Sequence, residues 1–381
     1  MLPQPHHKPT SEMMPPNIKS SPRTTALEYI SQRHFHERFI IPRTANHEEL
    51  PITYADVGIR PETTCDHVPT FLYIAGMFGS RYMGVHIHAI AKKIGVRVII
   101  VDRPGMGGSM PVPNESLIAT WMELVPRLLD HLSINHVALI AHSAGTIYLL
   151  NTIFSYRDIL DPKNPYVAFL APWVDPAHSQ VKAMQFARFI PTKAFSCWNQ
   201  IPRFFLTSPV AASSGAVISS IKNNLSSTND DASESKRLYI EQEYGMPRDV
   251  QVELDKYTTR FIFTESTLGG NAEALQCLRK GAPWGKCDDY TQFVRDFVDM
   301  EKTRGKESTA EKLKIQTYFA ESDIMIGKTG QSYFEKCFTG FEDMLHFEST
   351  TVADEDHDSL CMSPKILARI FREAKACSPR D

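Results

Sequence analysis

The sequence lacks any stretch approaching the roughly 18 uninterrupted apolar residues of a membrane span, so no transmembrane anchor is expected. It also lacks an apolar core of the secretory-signal type near its start. Residues 1–23 carry prolines, histidines and serines instead, and read as a disordered tail ending near residue 25. No C-x-x-C pair occurs. The seven cysteines (65, 197, 277, 287, 337, 361 and 377) are odd in number and scattered. That pattern fits reduced thiols in a cytoplasmic protein and excludes a disulfide framework or a zinc site of the usual spacing. No block of like charge is present, and the net charge is −3. Nothing therefore points to nucleic acid or to a polybasic membrane contact as partner.

What is there is a chain of 381 residues, 42% apolar and 22% charged. Such a chain can bury a large core and hold one α/β domain, with residues left for an insertion. His36–Pro42 and Leu50–Gly58 are β-like and suggest an opening antiparallel hairpin, with residues 45–49 as its turn. Thr70–Ala75, Val96–Val101, His136–Ala141 and Tyr166–Leu170 are short apolar runs without polar alternation. Runs of that kind suit strands of a parallel sheet covered on both faces. Helical spacing fills the gaps over residues 82–94, 115–132 and 145–156. Two further strands are expected at Lys314–Ala320 and Met344–Glu348, followed by a last helix over residues 363–376.

Between about Asp175 and Lys280 the pattern changes. This region shows helical or irregular character, no central strand, and many large apolar residues: Phe186, Phe189, Phe195, Phe204, Phe205, Met184 and Trp198. Asn223–Lys236 is polar and reads as a mobile loop. The expected organisation is a tail over 1–25, an α/β core over 26–174 and 286–381, and a helical lid over 175–285. The apolar content of the insertion suggests a cavity for an apolar group.

The sharpest local signal is Ala141-His142-Ser143-Ala144-Gly145, set between an apolar strand and an amphipathic helix. That is the context of a nucleophile elbow, usually written G-x-S-x-G. A strand that turns at once into a helix drives the serine to positive φ, and small residues must flank it. Ala141 replaces the first glycine and Gly145 keeps the second. Amides at the start of the following helix can stabilise negative charge on a substrate oxygen.

Two more loops follow strand ends: Ala75-Gly76-Met77-Phe78-Gly79-Ser80 and Asp102-Arg103-Pro104-Gly105-Met106-Gly107-Gly108-Ser109. With the elbow, they resemble the α/β-hydrolase family. Its corresponding loops read H-G-x-x-G-S and D-x-x-G-x-G-x-S; the second is matched in full, and the first has Ala75 where His is common. The resemblance covers residues 71–173 and resumes from about Lys314.

It implies an α/β-hydrolase fold, a mostly parallel sheet flanked by helices with an inserted lid. It also implies a chain order of serine, acid, histidine. Ser143 would be the nucleophile and His357, on the loop after the last strand, the base. The acid is Asp323, Asp175 or Glu321, in that order of preference. Asp102 reads as a turn residue bonded within its own loop. The amides of Met77 and Ala144 would form the oxyanion hole. Phe78, His142 and Trp173 are candidates for the substrate pocket, although His142 equally fits packing behind the elbow, and Trp173 and Trp284 equally fit packing of insertion on core.

The implied activity is hydrolysis of a carboxylic ester, lactone or thioester of an apolar small molecule through an acyl-enzyme, with no metal or organic cofactor. The same constellation also serves acyl transfer, lyase or cyclase chemistry, or a non-catalytic ligand receptor. The long insertion and Pro-rich tail look like those of fungal members, some of which serve secondary metabolism.

Overall fold

The computed structural model describes residues 21–61, 68–189, 191–195, 229–307 and 311–376. Residues 1–20 of the expected tail lie outside these, as do Cys65, Cys197, Cys377, Trp198, Phe204, Phe205 and residues 223–228 of the expected loop.

Among the described residues, an eight-stranded sheet organises the chain. Its strands are β1 (Glu37–Ile41), β2 (Leu50–Gly58), β3 (Thr70–Ile74), β4 (Arg97–Val101), β6 (Ala138–His142), β7 (Tyr166–Leu170), β9 (Leu313–Ala320) and β10 (Leu345–Val352). The two short strands β5 (Met106–Gly107) and β8 (Ser266–Thr267) pair separately. The spatial order is β1-β2-β4-β3-β6-β7-β9-β10. The pairs β1/β2 and β2/β4 are antiparallel, and every other neighbour in this sheet is parallel.

Every residue of β3, β4 and β7 is buried, because helices cover both faces of the sheet. One face packs against helices Leu117–His131, Gly145–Ser155, Tyr290–Glu307 and Gly327–Phe338, through Trp121, Leu124, Ile147, Phe293 and Phe334. The other packs against Met83–Ile94 and Pro364–Ala376, through Ile87, Ile90, Ile370 and Phe371. The helix Met83–Ile94 stops at Gly95, whose φ of 84° supplies the left-handed cap that lets the chain re-enter the sheet as β4.

Two expectations need correction. The tail boundary near residue 25 falls inside a helix, Pro22–Ile30. Ser21 caps it by accepting from the Thr24 amide, Pro22 opens it, and Ala26 and Ile30 are buried. The cap and proline were a start signal in an otherwise polar segment. The polar stretch from Asn229 to Lys236 is not a loop but the first half of helix Asn229–Tyr244. Its charges suit one exposed helix face, as in the Arg248–Glu234 ion pair. As expected, no central strand comes from the insertion among the described residues: its two-residue strand β8 pairs only with β5, outside the eight-stranded sheet.

Candidate active site

β6 ends at His142, and the helix Gly145–Ser155 begins three residues later. The turn between them holds Ser143 at a φ of 47°. Its amide donates to the Leu170 carbonyl of the neighbouring strand (3.1 Å), which fixes the turn to the sheet. Gly145 is required by space. A Cβ there would lie 2.3 Å from the Ile74 carbonyl oxygen and 2.8 Å from that of Ala75. Ala141 is fully buried in β6 without disturbing the elbow.

The loop after β10 brings His357 to this turn. Its Nε2 lies 2.7 Å from Ser143 Oγ, and its Nδ1 lies 2.7 Å from Asp323 Oδ2 on the loop after β9. Ser143 is 7% exposed, and the side chains of His357 and Asp323 are 5% and 4% exposed. Asp323 Oδ1 accepts from the amides of Met325 (2.8 Å) and Ile326 (3.0 Å). Burial pushes its pKa up, but the hydrogen bond and charge of His357 and those two amides outweigh burial and hold it below the usual carboxylate range. Asp323 is therefore a fixed anion, and His357 Nδ1 carries the proton between them. Nε2 is left to accept from the Ser143 hydroxyl.

The other acid candidates lie elsewhere. Asp175 caps the helix Pro176–Ser179 and pairs with Arg279 at 2.9 Å. Glu321 is exposed. Asp102 is structural: its carbonyl accepts from the Ser109 hydroxyl of its own loop (2.7 Å), and its carboxylate takes partners outside that loop, the Arg81 amide, the Arg81 guanidinium and the Thr53 hydroxyl, each at 2.6 Å.

The amides of Met77 and Ala144 flank the elbow, and among the described residues neither has an intramolecular acceptor. The β3 loop approaches Ser143 closely, since a Cβ on Gly76 would sit 3.3 Å from Ser143 Cβ. His142 packs behind the elbow. Its Nε2–H donates to the His357 carbonyl (2.9 Å), and its Nδ1 would lie 2.5 Å from a Cβ on Gly76. Burial, followed by the proximity of His357, lowers its pKa to about 3, so it stays neutral. Phe78 is half-buried at a φ of 60°, its ring against the α-carbon of Gly270. Trp173 is buried between insertion and elbow: its amide donates to Thr146 Oγ1 (3.1 Å) and its indole N–H to the Cys277 carbonyl (3.2 Å).

His142, His357 and Asp358 place possible ligand atoms within 4.8 Å of one another. Both nitrogens of His357 and Nε2 of His142 are already engaged, so a metal there would have to break the contacts that align Ser143.

A sequence model of the α/β-hydrolase fold matches residues 69–196, which span the β3 loop, the Asp102–Ser109 loop and the elbow. The chain has the α/β-hydrolase fold. Solved structures agree. A carboxylesterase from the thaumarchaeon Nitrososphaera gargenis superposes with a TM-score of 0.54 at 13% identity, over 89% of this chain and 98% of that one. A thermophilic esterase from Thermogutta terrifontis gives 0.51 at 14% identity, over 89% and 98%. An α/β-hydrolase enzyme from a Medee basin deep-sea metagenome library gives 0.52 at 13% identity, over 90% and 99%. No curated protein matches the sequence.

Reading the sequence missed two pairs of residues that knit this fold together. Arg103 Nε lies 2.5 Å from Glu273 Oε1, and both residues are 1% exposed. Arg81 pairs with Glu265 and with Asp102, at 2.6 Å to each. Both arginines belong to core loops, after β3 and β4; both glutamates belong to the insertion. The arginines stand inside recognisable loop motifs, but nothing local marks glutamates 170 or more positions away.

Proposed function

We propose that this α/β-hydrolase is a serine hydrolase that cleaves a carboxylic ester, lactone or thioester of an apolar small molecule. Ser143 attacks the carbonyl while His357 Nε2 accepts its proton, and Asp323 holds the resulting imidazolium in place. The amides of Met77 and Ala144 receive the developing oxyanion. Collapse of the tetrahedral intermediate expels the alcohol or thiol, protonated by His357, and leaves an acyl-enzyme. Water deprotonated by His357 then releases the acid and restores Ser143.

The observation that carries this reading is the continuous chain Ser143 Oγ–His357–Asp323, with 2.7 Å at each link. The carboxylesterase and esterase among the similar folds support an ester substrate. The segment from residue 175 to 285 acts as a lid in this reading. A cleft of about 360 Å³ lies along the insertion helix Leu268–Cys277, lined by Asn114, Thr192, Lys193, Leu268, Asn271, Ala272 and Leu275. Leu275 belongs to the small cluster on which Met77 packs. The four described cysteines are buried and unpaired, as suits a reducing cytoplasm.

A fluorophosphonate probe tests the proposal. Wild-type protein should be labelled on one serine and Ser143→Ala should not. Folded wild-type protein that resists the probe, or labelling that survives in Ser143→Ala, would overturn it. A panel of p-nitrophenyl esters of increasing chain length, with lactones and thioesters, then identifies the substrate class.

A further inference from the structure

The buried guanidinium of Arg103 does more than neutralise Glu273. Its Nη1 donates to the Ala75 carbonyl at 2.5 Å, and its Nη2 to the Gly76 carbonyl at 2.8 Å. Glu273 holds the same group from the far side through Nε (2.5 Å) and Nη2 (2.8 Å). The Tyr148 ring, on the helix that starts at the elbow, lies under the guanidinium at 4.8 Å. One planar cation thus touches the loop after β3, the helix after the nucleophile and the insertion helix Leu268–Cys277.

The Gly76 carbonyl belongs to the same peptide unit as the Met77 amide. A trans peptide is planar, and its C=O and N–H point in opposite directions. Whatever fixes the Gly76 oxygen therefore fixes where the Met77 N–H points. Arg103 holds that oxygen, with the Gly79 amide as a second donor at 2.9 Å. Without the guanidinium, one hydrogen bond within a short glycine-containing turn would have to keep the peptide plane in place.

We propose that Arg103 is a positioning residue for the oxyanion hole, that it aims the Met77 amide by gripping the Gly76 carbonyl, and that Glu273 of the insertion is its aligning counter-ion. The inference rests on the serine-hydrolase reading above. It adds that the insertion takes part in the chemistry through Glu273, and does not only cover the site.

The test compares Arg103→Met/Glu273→Met with Glu265→Gln. Removing both charges together avoids leaving one ion buried alone. Glu265→Gln weakens the other ion pair between the insertion and the core, which is half-buried, yet leaves the Ala75 and Gly76 carbonyls held. With p-nitrophenyl butyrate, kcat of the double variant should fall at least about tenfold while KM stays within about twofold. Loss of a full oxyanion donor costs about 10²–10³-fold in other serine hydrolases. Butylboronic acid, which forms a tetrahedral adduct on the serine, should lose affinity in parallel with kcat. Glu265→Gln should keep kcat within about twofold.

A folded double variant with wild-type kcat, or one in which KM rises while kcat holds, would overturn the proposal. Should the double variant fail to fold, Arg103→Lys decides: a shorter side chain ending in one nitrogen cannot reproduce the four contacts that three guanidinium nitrogens make to Ala75, Gly76 and Glu273, so unchanged kcat there is equally fatal. Wild-type protein inert to both the ester and a fluorophosphonate would overturn the hydrolase reading and this inference with it. That failure is distinguishable, because it appears before any variant is made.

Discussion

His142 Nε2 donates a hydrogen bond to the backbone carbonyl of His357 across 215 positions of chain. The variable residue of the elbow thereby ties the turn of Ser143 to the loop that carries His357. The bond requires the proton on Nε2, because a carbonyl can only accept. Burial first, then the proximity of His357, lowers the His142 pKa to about 3, against the pull of that carbonyl in the other direction. Unfolded, the same imidazole titrates near 6.5. Between about pH 6.5 and pH 3 the unfolded chain thus binds a proton that the folded chain refuses, and stability falls as pH falls. Above pH 6.5 this loss is absent. His88, lowered to about 4 by burial and neighbouring cations, adds a slope of the same sign. Urea titrations between pH 7.5 and 4.5 should show His142→Gln losing less stability than wild type, by close to one proton's worth of slope. Identical slopes would mean that His142 titrates normally.

Asp323→Asn should lower kcat by about 10²–10⁴-fold with little change in melting temperature, because the amide favours the wrong imidazole tautomer. Asp175→Asn and Glu321→Gln should stay within a few-fold of wild type, since Asp175 faces Arg279 and the helix it caps, and Glu321 faces solvent. Steady-state kinetics on any turned-over ester checks all three. A larger loss in Asp175→Asn than in Asp323→Asn would reassign the acid.

The elbow makes opposite demands at its two small positions. Gly145→Ala drives a methyl group to within 2.3 Å of a strand carbonyl that cannot retreat, and should destabilise the fold by about 3 kcal/mol or more. Ala141→Gly restores the more usual residue and should cost only about 0.5–1 kcal/mol, with activity unchanged. Chemical denaturation of both variants provides the check, and comparable losses would contradict the steric account.

The first helix is predicted to be part of the folded core. Ile30 is 2% exposed, and Arg23 Nε donates to the Tyr257 hydroxyl at 2.9 Å. Ile30→Ala should cost about 2–5 kcal/mol while leaving kcat near wild type. A negligible change in the urea midpoint would show that this helix docks weakly.

How much of this was legible beforehand follows from how local each signal is. The hairpin, the parallel strands and the elbow are encoded by neighbours: β-branched runs, a period of 3.6, and small residues around Ser143. His357 and Asp323 were findable because they follow strands in a fixed order. Arg103 and Glu273 were not, because a pair 170 positions apart leaves no spacing to read. Nor was the helix Asn229–Tyr244, whose polar first half resembles a loop until its neighbours are known. The role of Trp173 as packing between elbow and insertion turned on one carbonyl, that of Cys277, which composition does not reveal.

The paired arginines and glutamates bear on anyone who would trim this protein to a smaller scaffold. Excising 175–285 as a unit would strand the Arg103 guanidinium in the interior with no carboxylate beside it, and would leave Arg81 with Asp102 alone. A workable minimal version must therefore retain the short span from Glu265 to Glu273, or replace both cations with neutral residues at the same time.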